Sequence, residues 1–303
     1  MIRAPRLRAG DVVRVVAPSG PVPREAFEAG VAALRGRYQL RFDDRVFERQ
    51  GFLAGSDERR LEELTAALAD PEARAVLMAR GGYGLMRLLP FLDPSLLRAS
   101  PRPLVGFSDG TALLAFAARA GVASIHGPVL TQLGTLPEPD QRALIQMLEE
   151  PAPGLLLADL DELIPGRVQG PLLGGNLEVF SRLLGTPYLP DLSGAVLLLE
   201  DSGERPYRVD RLITHLDLAG VFGAVSAVLV GDFSGCLEPE SLRAAGSPRG
   251  EEVVLERLGR LPIPVALGAA VGHGARNAAL PYGTLVELDT RHGTLVALEG
   301  AVR

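Results

Sequence analysis

A chain of 303 residues, 47% hydrophobic and 22% charged, has an ordinary globular composition and is long enough to bury a large core, as one big domain or two smaller ones. Its formal net charge of −6 argues against nucleic acid as the main partner, because binding phosphates calls for a positive field. All 31 basic residues are arginine, and a chain without lysine has no Schiff-base lysine, no phosphate-loop lysine and no serine–lysine hydrolase site. The lone cysteine, Cys236, cannot form an intrachain disulfide and fits a reducing compartment. The start of the chain has no signal-like apolar stretch, and no apolar run is long enough for a membrane span. The expectation is a cytoplasmic protein with no membrane partner.

In chain order, residues 11–17 read as a short apolar strand ending in the turn Pro18-Ser19-Gly20, followed by a helix over 24–34 and a strand over 40–42. Ser56 or Asp57 caps the next helix, whose Leu61, Leu64 and Leu68 recur at helical spacing until Pro71 ends it. Residues 75–79 form a buried strand running into Gly81-Gly82-Tyr83-Gly84, and 103–107 form another, followed at once by Ser108 and a helix over 111–119. Such alternation predicts an α/β fold with a mostly parallel sheet covered on both faces. The pattern loosens around five prolines between 135 and 170. It reads there as a connection over 136–170, with a short helix near 141–148, joining an N-terminal α/β domain (1–135) to a C-terminal one (171–303). Beyond it come a helix from about 177 to 184, a strand over 195–199 ending at Glu200 and a helix over 207–219 stopped by Gly220. Strands over 225–230 and 264–267, a helix over 251–261 and a hairpin of 284–288 with 294–298 complete the chain.

Ser108 stands in Gly106-Phe107-Ser108-Asp109-Gly110, where a strand passes into a helix. A nucleophile elbow needs that context: the sharp turn exposes the hydroxyl, and the helix N-terminus favours developing negative charge. The same serine could equally serve as a helix cap. Among four histidines, His273 lies between glycines in a loop after a strand, and His126 also follows a strand; both are candidate bases. His215 within a helix and His292 in a hairpin turn read as structural. Glu200 could orient the base, with Asp201 and Glu204 as alternatives from position alone. The loop 79–84 could supply a backbone N–H for an oxyanion beside that of Asp109, and its glycine spacing is not that of a dinucleotide site. No spacing of histidines, cysteines or acids suggests a metal.

The stretches Val16-Ala17-Pro18-Ser19-Gly20, Phe52-Leu53-Ala54-Gly55-Ser56-Asp57, Ala79-Arg80-Gly81-Gly82-Tyr83-Gly84, Gly106-Phe107-Ser108-Asp109, Ile125-His126-Gly127-Pro128, Gly174-Gly175-Asn176, Glu200-Asp201-Ser202-Gly203-Glu204 and Gly272-His273-Gly274 occur in that order across nearly the whole chain. In this the sequence resembles the LD-carboxypeptidases, a family that also includes the microcin C immunity peptidases. The resemblance implies Ser108 as nucleophile, Glu200 as orienting acid and His273 as base, and gives His126 a supporting role. It also implies two α/β domains with the site between them, no metal or other cofactor, a small peptide substrate and a homodimer. Gly110 departs from the bulky apolar residue the family pattern leads one to expect. The implied reaction removes a C-terminal D-amino acid from a murein tetrapeptide, with N–H groups of Gly82 and Asp109 holding the oxyanion. Glu204 is the expected contact for a cationic amine on the substrate, and Tyr83 and Asn176 are expected to line the pocket. A peptidyl-nucleotide substrate, an α/β-hydrolase-type esterase and a non-catalytic binding protein are the alternatives, and the absence of tryptophan disfavours the first.

Overall fold

A computed structural model describes residues 1–244 and 246–303. Strands β1 (Val12–Val16), β2 (Gln39–Arg41), β3 (Ala73–Met78), β4 (Leu104–Gly106) and β5 (Ser124–His126) lie parallel in the order β5-β4-β3-β1-β2. Helices cover the faces. In the helix Asp57–Ala69, the Ser56 side chain accepts the Arg59 N–H at the start, and Leu64, Ala67 and Leu68 pack against Val16, Val76 and Met78 of the sheet.

The second sheet gathers β6 (Gly154–Leu157), β7 (Asp161–Ile164), β8 (Arg167–Asn176), β9 (Val196–Glu200), β10 (Ala227–Val230) and β11 (Val265–Leu267). From β8 to β11 the strands are parallel. Every residue of β9 is buried, as a central strand covered on both faces requires. The short strand β12 (Leu280–Tyr282) leaves for the other sheet and pairs antiparallel with β5, while β13 (Leu285–Asp289) and β14 (Thr294–Ala297) form the expected hairpin and extend the second sheet. Its full order is β6-β14-β13-β8-β9-β10-β11-β7.

The stretch 136–170, read from its prolines as a connection with a short helix near 141–148, carries regular structure. It folds as the helix Glu138–Glu149, the edge strands β6 and β7 and the start of β8. Pro137 precedes the helix and Pro139 sits in its first turn, Pro151 and Pro153 precede β6, and Pro165 lies between β7 and β8. At each of these places a missing N–H removes no helix or ladder bond.

One helix joins the two halves. In Thr111–Arg119, eight of the nine residues are buried. Leu114 and Ala118 pack with Leu197, Leu199, Val228 and Val230 of the second sheet, while Ala112, Leu113 and Phe116 pack with Val76, Met78 and Leu104 of the first. A helix apolar all round is one enclosed by core on every side. Its N-terminus therefore lies where the two sheets meet.

Candidate active site

Ser108 occupies the turn that feeds this helix. Phe107 is extended, Ser108 has φ 60°, and a short 3-10 turn, Ser108–Gly110, leads into the helix. Left-handed backbone is uncommon at a residue with a side chain and costs about 1–2 kcal/mol. The loop after β3 lies directly against this turn: a Cβ added at Gly81 would fall 2.8 Å from Ser108 Cβ and 3.0 Å from its Oγ. Only glycine lets the backbone approach so closely.

Glu200 and His273 come from the second sheet. Glu200 ends β9 and is fully buried, and His273 lies in the loop after β11. His273 Nδ1 stands 2.8 Å from Glu200 Oε2, and Nε2 stands 3.1 Å from Ser108 Oγ. A carboxylate only accepts, so against ionised Glu200 the ring donates from Nδ1 and leaves Nε2 to accept from the serine hydroxyl. Gly272, with φ 143°, makes this possible, since a Cβ there would come within 2.7 Å of Asp232 Cβ and 3.3 Å of Glu200 Oε2. Phe107 supports the imidazole from one side with ring centroids 4.4 Å apart. Burial pulls the His273 pKa down, but the hydrogen bond and charge of Glu200, helped by Asp201 and Asp232, outweigh it and hold the pKa above the usual histidine value. Such a series can move a proton from the hydroxyl to the ring and keep the resulting imidazolium beside a carboxylate.

His126 lies apart from this series. It is fully buried behind Phe107, edge-on at 5.5 Å between centroids, and neither ring nitrogen has a hydrogen-bond partner. Burial, with a smaller contribution from the charge of His273, pushes its pKa down to about 3, so the ring stays neutral. Its place is in the packing beneath Phe107. The N–H groups of Gly82 and Asp109 have no acceptor among the described residues. Tyr83 is half exposed and meets Phe52 edge-on at 5.6 Å. Asn176 is buried and largely engaged: its Oδ1 accepts the Val179 N–H, its N–H donates to Thr111 Oγ1, and its Nδ2 donates to Asp201 Oδ1 at 3.3 Å. Glu204 faces Arg208 at 3.4 Å in a charged cleft of about 350 Å³ with Glu178 and Arg182. Asp201, beside Glu200, is pushed up to about 7 by burial and then by the Glu200 charge, against the pull of three hydrogen bonds from Glu178, Ser202 and Asn176.

Two arrangements around these residues escape a sequence reading. The Asp109 carboxylate accepts the Ser19 hydroxyl at 2.6 Å and the Leu85 N–H at 2.9 Å, so it ties the serine turn to the 18–20 turn and to the loop after β3. Asp140, from the helix Glu138–Glu149, accepts two parallel bonds from Arg276 and one from the Asn277 N–H, and Asn277 in turn donates to Gln132 and accepts from the Gly272 N–H. The histidine loop is thereby pinned to the first half of the chain. Ser19 and Asp109 both fall in motif stretches, but their contact spans ninety positions and has no local signal.

Residues 13–127 match the LD-carboxypeptidase N-terminal domain, and residues 169–288 match the C-terminal domain. A putative carboxypeptidase of Synechocystis is 39% identical over 95% of both chains. The murein tetrapeptide carboxypeptidase of Pseudomonas aeruginosa is 35% identical over 91% of this chain and 92% of its own. Among solved structures, the microcin C7 self-immunity protein MccF superposes with a TM-score of 0.89 at 26% identity over the whole of both chains. Two domain matches in the right order and relatives of nearly equal length leave one assignment: the chain belongs to the LD-carboxypeptidase family.

Proposed function

We propose that this protein is a serine carboxypeptidase that cleaves the amide between an L-centre and the terminal D-residue of a murein tetrapeptide. The observation that carries the reading is the hydrogen-bonded series Glu200–His273–Ser108, closed at 2.8 and 3.1 Å by residues from two separate sheets. In this reading His273 Nε2 takes the Ser108 proton as Oγ attacks the scissile carbonyl, and the free N–H groups of Gly82 and Asp109 donate to the oxyanion. The imidazolium, held by Glu200, gives its proton to the leaving nitrogen, and the D-amino acid departs. Water, deprotonated by His273, then cleaves the acyl ester and Ser108 recovers its proton. The reaction needs no metal or cofactor, and the resemblance supports a cytoplasmic homodimer. Glu204, Asn176 and Tyr83 are assigned to substrate contact.

A second reading, hydrolysis of a peptidyl-nucleotide, has the exposed ring pair Phe52 and Tyr83 in its favour, because paired rings at a cleft offer a stacking surface. Mass spectrometry after incubation with a D-Ala-terminated murein tetrapeptide separates the two. Loss of one D-Ala by wild type and none by Ser108→Ala is the expected result. Equal loss in both would remove Ser108 as nucleophile, and cleavage of an aspartyl-nucleotide alone would transfer the assignment to the second reading.

A further inference from the structure

Beside the serine turn lies a cleft of about 560 Å³ whose lining includes Arg49, Arg80, Phe47, Phe52, Tyr83 and Gly82 and contains no carboxylate. In a protein with 37 acidic residues and a net charge of −6, this is an unusual wall. Among the described residues neither Arg49 nor Arg80 has an acidic partner within 4.0 Å. Arg80 donates to the Pro21 carbonyl at 2.7 Å and Arg49 to the Gly51 carbonyl at 3.2 Å, which leaves most of each guanidinium uncommitted. Arg80 is also largely buried, and a guanidinium drawn partly out of water without a counter-charge is costly unless an anion visits it.

The cleft adjoins the reacting groups. A Cβ on Gly20 would meet Arg80 Nη1 at 3.2 Å and Gly82 Cα at 3.4 Å, so the Arg80 guanidinium stands just across Gly20 from the Gly82 backbone. The neighbouring Gly81 is the residue pressed against Ser108. In the cleft at Glu204, by contrast, each acid has an arginine partner, Glu178 with Arg182 and Glu204 with Arg208. We infer that the Arg49–Arg80 cleft receives the anionic group of the leaving moiety: the α-carboxylate of the departing D-residue, or the phosphoryl group if the substrate is a peptidyl-nucleotide. The assignment rests on the proposed hydrolysis at Ser108 and adds to it the reason for exopeptidase specificity. The terminal carboxylate lies one residue beyond the scissile carbonyl, so cations next to the oxyanion donors select a chain end over an internal bond.

The test compares kcat/KM for a D-Ala-terminated tetrapeptide, its C-terminal carboxamide and an aspartyl-adenosine phosphoramidate in wild type, Arg49→Gln, Arg80→Gln and the double variant. Loss of charged hydrogen bonds to the carboxylate predicts a fall on the order of 100-fold for the free acid in the double variant, with turnover of the carboxamide unchanged. If only the phosphoramidate responds, the anion is the phosphoryl group. Equal losses on acid and amide, or no preference for the acid in wild type, would overturn the assignment. Should Arg80→Gln fail to fold for want of its bond to Pro21, the exposed Arg49 still provides the comparison. If wild type cleaves none of the three, the proposed hydrolysis fails. Calorimetric affinities of Ser108→Ala for acid and amide then decide the cleft separately: tighter binding of the acid that Arg49→Gln removes supports it, and equal binding ends it.

Discussion

Ser108 combines two demands that conflict. Its backbone at φ 60° lies where a side chain is disfavoured, yet the proposed reaction requires a side chain there. Glycine adopts that conformation at no steric cost, whereas alanine retains the Cβ. Ser108→Gly is therefore expected to be more stable than Ser108→Ala by about 1 kcal/mol in chemical denaturation, with both inactive. Equal stabilities would mean that the turn relaxes freely. At His273 the balance is electrostatic. Burial alone would lower its pKa, and the Glu200 carboxylate at 2.8 Å reverses that. A general base works in its neutral form, so a raised pKa puts the rising limb of kcat/KM above the ordinary histidine range. Glu200→Gln removes the charge and lets burial act. The limb should then move to lower pH, while kcat falls on the order of 1000-fold because the amide can also favour the wrong tautomer. A limb that stays in place would show that another group sets the His273 pKa.

Between β4 and the long buried helix, the loops that surround Ser108 are held by one carboxylate. Asp109 is 3% exposed, and burial raises its pKa in spite of the hydrogen bonds it accepts from Ser19 and Leu85, which bridge three separate loops. Its side chain, buried and engaged by Ser19 and Leu85, positions the loop that carries Gly82. Asp109→Asn keeps the volume but weakens the acceptor, so kcat should fall on the order of 100-fold with KM within about twofold, as when one oxyanion donor is displaced. A rise in KM at constant kcat would point to a binding role. Local elements such as this strand–turn–helix were legible because the signal is local: an apolar run, a G-x-S-x-G turn, then a helical apolar run. The helix Pro206–Leu218 was equally plain, with Val209, Leu212, Ile213 and Leu216 on one face and Gly220 just past its end at φ 76°. The strands β6 and β7 were not. They are short, lie at the sheet edges, and are flanked by prolines that carry the same local meaning in a loop.

Across the whole molecule, the proposed site requires two sheets to hold a fixed distance, because Ser108 belongs to one and Glu200 and His273 to the other. Three devices set that distance. The helix Thr111–Arg119 is core to both sheets. β12 crosses from one to the other, and its Tyr282 hydroxyl donates to the Gly174 carbonyl and accepts the Gly174 N–H. The third is the Asp140 cluster. Its contacts join residues more than a hundred positions apart, and a sequence shows Asp140 only as an acid in the first turn of a helix. The order of the motifs could therefore single out the serine, the glutamate and the histidine that the fold brings into hydrogen-bond contact, but not the groups that bring them together. Asp140 is 1% exposed, whereas the Arg276 side chain is about half exposed, so the pair itself contributes modestly and the buried bond to the Asn277 N–H matters more. Asp140→Asn should cost about 2 kcal/mol of stability, speed amide exchange over 272–277 and lower kcat about tenfold. A control removes the ambiguity of general destabilisation. Leu295→Ala, on β14 away from the site, costs a comparable 2–5 kcal/mol and should leave kcat unchanged in the folded enzyme. If the two variants lower kcat equally, the cluster is an ordinary part of the core; if only Asp140→Asn does, the cluster sets the position of His273 against Ser108.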